Sequence, residues 1–179
     1  MGELGVGALT ISEMARRMGV RPPSLYKYFA SLHSVYEQLF ARGLALHMAA
    51  VSDATVSRSP GLDRLRAGMS ATVQWAVGSP ALAQLLFWRV VPGFEPSPAT
   101  FKASVEDMAT VRGELAAAVE AGELSPAADS DRAVRILTVL MSGLISQQLA
   151  NEPGASFETG RFSSLTDEAF DVFVDHYRP

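Results

Sequence analysis

Apolar residues recur at intervals of three and four along most of the chain, and no segment reads as a strand. Ile11, Met14, Ala15 and Met18 line one face of a short helix, with Thr10 placed to cap it and Gly19 to end it. Leu25, Tyr28 and Phe29 give a second face from about Pro23 to Phe29, and Pro23 suits a first helical turn. Ahead of these lies a glycine-rich lead-in that offers Leu4, Val6 and Leu9 for packing. Ser31 caps a third helix from about Leu32 to Asp53, with Val35, Leu39, Leu46 and Ala50 as its face and Tyr36 and Phe40 broadening it. Ser59-Pro60-Gly61 then breaks the chain.

Beyond that break, Leu65, Met69, Val73 and Ala76 predict a helix from Leu62 to about Val77. A short apolar helix follows through LAQLLFWRVV, and Pro92 to Pro98 is a loop. Phe101, Val105, Met108, Val111, Arg112, Leu115 and Val119 fall mostly on one side of a helix from Ala99 to about Ala121, closed by Gly122. Asp129 or Ser130 caps the next, which runs to about Leu149. The last spans Phe162 to about Tyr177, apolar at Leu165, Ala169, Phe170, Phe173 and Val174 and wet at Asp167, Glu168, Asp171 and Asp175. The expected fold is all-α: a helix-turn-helix head over residues 1–47 and an antiparallel helical bundle as the body over residues 48–179.

Composition supports a packed core, since 48% of the 179 residues are hydrophobic and 19% charged. No run reaches the length of apolar residues a membrane span needs, and the N-terminus lacks a signal peptide's pattern, so a cytoplasmic protein is expected. There is no cysteine, hence no disulfide or thiolate chemistry. The net charge of −4 becomes informative when divided. Residues 1–47 hold Arg16, Arg17, Arg21, Lys27 and Arg42 against Glu3, Glu13 and Glu37, a balance of +2 that leaves −6 on the remainder. A basic end on an acidic body fits a small nucleic-acid-reading head.

In a helix-turn-helix the second helix enters the major groove by its N-terminal part while flanking groups hold phosphates. Ala15, small and four residues before Gly19, lets the two helices approach closely. Arg21, Pro22, Ser24 and Lys27 are then the DNA-facing group, with the Tyr26 hydroxyl placed to donate to a phosphate. Thr10 can combine capping with a phosphate contact, because helix N-termini favour anions. Tyr28 shares a face with Leu25, and spacing alone makes it core.

The words T-x-x-x-(hydrophobic)-A-x-x-x-G-V and LYKYF together resemble the DNA-binding domain of the tetracycline-repressor (TetR) family, over Gly7 to about Leu39. The resemblance implies a homodimer of three-helix readers joined to a helical ligand-binding body. It puts Thr10 and Tyr26 on phosphates, Lys27 and Tyr28 near the backbone, and Arg21, Pro22 and Ser24 at or near base edges. Three departures stand out. Arg21 replaces a small hydroxyl cap. Leu32 replaces a lysine, leaving His33 as a substitute phosphate contact. The family also has a helix ahead of the glycine-rich lead-in, and this sequence opens after it; without that helix, Met14, Met18 and Phe29 are expected to be uncovered.

In the body, QWAVGSPALAQLLF resembles the W-A-x-x-(H/S)-P stretch in one branch of regulatory domains attached to such heads, and RILTVLMSGLISQQLA resembles that branch's penultimate helix. Trp75, Phe87, Trp88, Phe101, Met108, Met141 and Gln147 are the candidates for a mostly apolar ligand pocket. The resemblance makes the last two helices a dimer interface, through Ile136, Leu140, Gly143 and Leu144 with Phe170, Phe173 and Val174, forming a four-helix bundle. Half-sites of a pseudo-palindromic DNA operator are then about 34–36 Å apart. Enzyme chemistry is not expected: His33, His47 and His176 are scattered, no metal motif occurs, and Gly5-Val6-Gly7 lacks the lysine of a phosphate loop. No metal or cofactor is implied. The leading expectation is a ligand-responsive transcriptional repressor released by a small apolar effector. Its alternative is a dimeric helical small-molecule-binding or interaction protein with a vestigial DNA-binding head.

Overall fold

Thr10 opens the first helix, α1 (Ile11–Met18), by accepting the Glu13 backbone N–H on its hydroxyl at 3.1 Å. Gly19 ends it at φ 67°, a left-handed conformation that lets the Val20 N–H turn back to the Ala15 carbonyl at 3.0 Å. α2 (Pro22–Tyr26) is shorter than the apolar pattern predicted. The chain leaves it through a tight turn in which the Tyr28 and Phe29 N–H groups both reach the Leu25 carbonyl. A reciprocal Ser31–Ser34 capping box then starts α3 (Leu32–Thr55), which continues unbroken past residue 47, the expected end of the head.

The computed structural model describes residues 9–179, so Leu4 and Val6 lie outside the described residues while Leu9 is buried in the head core. The body adds α4 (Leu62–Gly78), α5 (Pro80–Phe87), α6 (Pro98–Glu120), α7 (Asp131–Asn151) and α8 (Thr166–His176). Single 3₁₀ turns at Pro126–Ala128 and Ser163–Leu165 lead into α7 and α8. Among the described residues there is no strand, and the all-α architecture matches the sequence reading. α5 stops at Phe87 although apolar residues continue, because Trp88 is extended and Pro92 disfavours helix just before it. α8 begins at Thr166, later than predicted.

Three apolar clusters hold the molecule together. In the head, Leu9, Ile11, Ala15 and Leu25 pack on Val35, Tyr36, Phe40 and Leu44 of α3, with Leu85 and Phe94 added from the body. The largest body cluster joins Leu65 and Met69 to Leu115, Leu124, Leu137, Phe170 and Phe173. The third gathers Val73, Ala76, Val77, Ala83 and Ile145. α3 therefore belongs to both parts. Its buried face is Val35, Tyr36, Phe40, Gly43, Leu44 and His47, so the predicted face is displaced: Leu46 is exposed, Leu39 and Ala50 only half-buried. A histidine on the inner face and a glycine against Leu82 and Leu86 of α5 obscured the true stripe.

Gln148 of α7 shows how a buried polar group is satisfied. It is fully buried, and its Oε1 accepts the N–H groups of Phe162 and Ser163 at 3.1 Å each while Nε2 donates to the Glu152 carbonyl. Gly160 passes so close that a Cβ there would overlap the Gln148 amide. This clamp fixes the approach to α8.

Candidate effector cavity and nucleic-acid interface

The head presents its candidate DNA contacts to solvent. Thr10, Arg21, Pro22, Ser24, Tyr26, Lys27 and Tyr28 are all exposed, while Leu25 between them is buried. Tyr28 is 81% exposed, which removes the core role its spacing with Leu25 predicted. Arg21 stands at the N-cap of α2 in extended backbone with no side-chain capping bond. Arg16 and Arg17, by contrast, are held by Glu13: Arg16 donates to its carboxylate at 2.6 and 2.8 Å, and Arg17 donates to it at 2.7 Å. These bonds lower the Glu13 carboxyl to about 2. Two of the head's five basic side chains are thus engaged within α1.

His33 is placed differently from the others. Its Nε2 lies 3.3 Å from the Gly93 carbonyl in the loop after α5, and its ring sits 6.3 Å from that of Phe94. That contact ties α3 to the body, while the side chain stays exposed like those of the α2 group. Met18 is 64% exposed as predicted, whereas Met14 and Phe29 are half-buried against the head core.

In the body, α3, α4, α6 and α7, with Phe87 at the end of α5, surround a cavity of about 140 Å³. Its apolar wall includes Val51, Leu65, Met69, Phe87, Met108 and Met141. Its polar groups are His47, Asp107, Arg64 and Glu114 with Thr55, Thr72, Thr110 and Thr138. Arg64 and Glu114 face each other at 3.2 Å, and Glu114 also accepts the Gly61 N–H at 2.8 Å. His47 is 5% exposed, and burial drives its imidazole below the ordinary value, opposed by the nearby Asp107. Burial raises the Asp107 carboxyl, opposed by His47.

Of the expected ligand contacts, the structure brings Phe87, Met108 and Met141 to this cavity. Trp75 stands behind the wall, its ring 5.2 Å from His47 and 6.0 Å from Phe87. Trp88 and Phe101 line a separate surface hollow of about 480 Å³ with Phe40 and Phe94. Gln147 is a correction: it points outward and accepts a hydrogen bond from Asn151, while its neighbour Gln148 is the buried one. The polar lining residues are not evident from sequence because they are spread over α3, α4, α6 and α7. His47, one turn beyond Gly43 and Leu44 on the same stripe, was the available signal.

Two of the expected dimer contacts also need correction. Phe170 and Phe173 are each 1% exposed, packed inside the protomer against Leu115, Leu124 and Leu137. Ile136, Leu140, Leu144 and Val174 are half-buried and Gly143 is exposed. Val139 and Val172 stand out from α7 and α8 at 69% and 62% exposure. α7 is long and apolar enough to cross a membrane by length and composition, yet 22% of that stretch is buried in the protomer.

A family model for the tetracyclin repressor-like C-terminal domain matches residues 65–177, most of the body that holds the cavity. The chain belongs to the TetR family of transcriptional regulators. Solved structures share the fold over nearly the whole chain. A protein of unknown function from Rhodococcus sp. RHA1 has 22% identity and a TM-score of 0.75, covering 99% of this chain and 89% of that one. The TetR family regulator PfmR from Thermus thermophilus has 17% identity and a TM-score of 0.73, covering 97% and 92%. The transcriptional regulator FadR from Bacillus subtilis, solved with stearoyl-CoA, has 16% identity and a TM-score of 0.73, covering 96% and 90%. No curated protein matches the chain. With membership of the TetR family, the head and the cavity become two ends of one regulator.

Proposed function

We propose that this TetR-family chain is a ligand-responsive repressor that binds a pseudo-palindromic operator as a homodimer and is released by a small, mostly apolar effector held in the body cavity. One observation carries the reading: α3 is a single helix of 24 residues that packs the head with Val35, Tyr36 and Phe40 and walls the cavity with His47, Val51 and Thr55. A ligand that moves the cavity wall therefore moves the element on which the head is mounted. Glu37 gives a second link, since its carboxylate accepts the Ser97 N–H and the Thr100 hydroxyl at the start of α6, whose Asp107 and Met108 line the cavity.

Arg21, Pro22 and Ser24 read base edges, and Thr10, Tyr26, Lys27 and Tyr28 hold phosphates. Dimerisation uses the outer faces of α7 and α8, through Ile136, Leu140, Gly143, Leu144 and Val174 together with Val139 and Val172. The apolar surface left on α7 supports this, as does the stacking of α7 on α8. An effector that prefers one spacing of the two heads shifts the dimer to that spacing, and the shift is limited by its differential affinity.

The test is a gel shift of the protein against the intergenic DNA upstream of its own gene, with increasing salt. A specific shift that weakens with salt is expected, and absence of any salt-sensitive shift sinks the repressor reading.

A further inference from the structure

Phe87 borders two spaces. It lines the inner cavity of about 140 Å³ together with His47, Met108 and Met141, and the surface hollow of about 480 Å³ together with Trp88 and Phe101. Among the described residues it is the one member that the two linings share. The rings place its side chain in the partition. On the cavity side it meets His47 edge-on, with centroids 5.7 Å apart, and on the hollow side it meets Trp88 edge-on at 6.0 Å. Phe40, Leu85 and Phe94 of the hollow also belong to the head core, so this partition stands at the joint of head and body.

The wall at Phe87 is also free to move. Phe87 is the last residue of α5 and Trp88 after it is extended, so no later turn of that helix packs over the ring. Phe87 is 36% exposed, and side chains with an exposed face change rotamer readily. A second thin place occurs where Met108 and Thr138 line both the cavity and a shallow hollow between α6 and α7. Opening that wall takes two residues, each inside a long helix, and Thr138 is tied to the Val134 carbonyl at 2.8 Å. Opening the other takes one ring.

We propose that Phe87 is the door of the body cavity: its ring limits a bound ligand to about the size of one aromatic ring and turns aside to let that ligand pass. This rests on the reading of the cavity as the effector site. The cavity volume is close to the ~150 Å³ of an engineered apolar cavity that accepts benzene. A longer apolar ligand meets the Phe87 ring. With the ring removed, the cavity continues into the hollow, and the extra length is buried against Leu86, Trp88 and Phe101. Butylbenzene exceeds toluene by three methylenes, which at ~0.8 kcal/mol each amount to about fiftyfold in affinity when all are buried.

The experiment titrates the full chain and its Phe87→Ala variant with toluene and butylbenzene, at equilibrium and by stopped-flow mixing. Tryptophan fluorescence is the readout, because both tryptophans of the chain, Trp75 and Trp88, have their rings 6.0 Å from that of Phe87. In the unmodified protein butylbenzene is expected to bind within threefold of toluene. In Phe87→Ala it is expected to bind at least tenfold more tightly than toluene, and toluene to enter and leave at least tenfold faster. Phe87→Leu, a smaller change, repeats the test where the alanine variant fails to fold, with the same direction expected. Butylbenzene exceeding toluene tenfold in the unmodified protein overturns the proposal. So does an unchanged affinity ratio or an unchanged toluene rate in the variants, or no binding of either probe. A gain for butylbenzene in Met108→Ala with none at Phe87 moves the opening to the wall between α6 and α7, which also overturns it. A chain that shifts DNA in a salt-sensitive way without these ratios loses the door and keeps the repressor reading. A chain that shows the ratios without a DNA shift does the reverse.

Discussion

The two ends of α3 treat polar side chains in opposite ways. At the head end, Arg21, Ser24, Tyr26 and Lys27 surround one buried leucine and stand in solvent, where charge acts over a distance and is screened by salt. At the body end, His47 is buried between Thr72 and the aromatic rings of Trp75 and Phe87, where a polar atom acts only on what touches it. The head therefore offers exposed charged and polar groups, and the cavity a small, mostly buried space. One helix, α3, packs the head at one end and lines the cavity at the other.

The contrast breaks most visibly in the body, where packing decides whether α3 has anything to lean on. Phe173→Ala empties a site shared by Leu115, Leu124 and Tyr177 and is expected to cost about 3–5 kcal/mol in denaturant unfolding. Val172→Asp, one residue away but exposed, is expected to keep the far-UV helical signal and to shift sedimentation from dimer towards protomer. If Phe173→Ala were neutral to folding and broke the dimer instead, the assignment of Phe173 to the protomer core would be wrong.

In the head, the expected effects are smaller and take two forms. Arg21→Ala should weaken operator binding by about 1–3 kcal/mol and relax the sequence preference at one position of the half-site. Lys27→Ala should weaken binding to all sequences alike and lower the salt slope by about one. Competition assays with single-base operator variants, repeated at several salt concentrations, separate the two. Equal loss across sequences for Arg21→Ala would move it from base edges to phosphates.

The head was legible from sequence because its signals are local. Thr10, Ala15, Gly19 and Leu25 lie within one short stretch, and each has a geometric duty that spacing alone expresses. Tyr28 was harder: its place depends on α2 unwinding after Tyr26, and helical periodicity carried it onto the wrong face. The cavity was less legible because it is assembled from five helices. Phe87, Met108 and Met141 were found by size and apolarity, but His47 and Asp107 come to the same cavity from different helices. Phe170 and Phe173 were misread for a related reason, since an apolar helix face does not say whether its partner lies in the same chain. Gln147 and Gln148 differ by one residue, about 100° of helix, and only the neighbouring loop distinguishes them.

The link between head and body can be weakened without emptying either. Glu37 holds the start of α6 by accepting from Ser97 and Thr100, and those bonds keep its carboxyl below the usual range. Glu37→Gln is expected to cost about 1 kcal/mol of stability. It should also reduce the factor by which an effector changes operator affinity, with effector-free DNA binding changed less. Measuring operator affinity with and without saturating effector in both proteins gives that factor directly, and an unchanged factor would remove Glu37 from the route.

The smallest effect expected is on the pH dependence of stability, and its sign follows from burial at the cavity. His47 is held below its ordinary value of 6.5, so the unfolded chain binds the proton more readily than the folded one. Stability should accordingly fall as pH drops from about 7 through 6. Asp107 is held above 3.8 and acts in the opposite sense: its contribution is present at low pH and is lost as pH rises through its folded value. Arg64 and Glu114 complete the charged lining and are paired with each other. Denaturant midpoints across pH 5–8 should therefore show a slope near neutrality that His47→Leu flattens and Asp107→Asn leaves in place (about one proton at most). A slope of the same size in His47→Leu would mean that the imidazole is not held neutral.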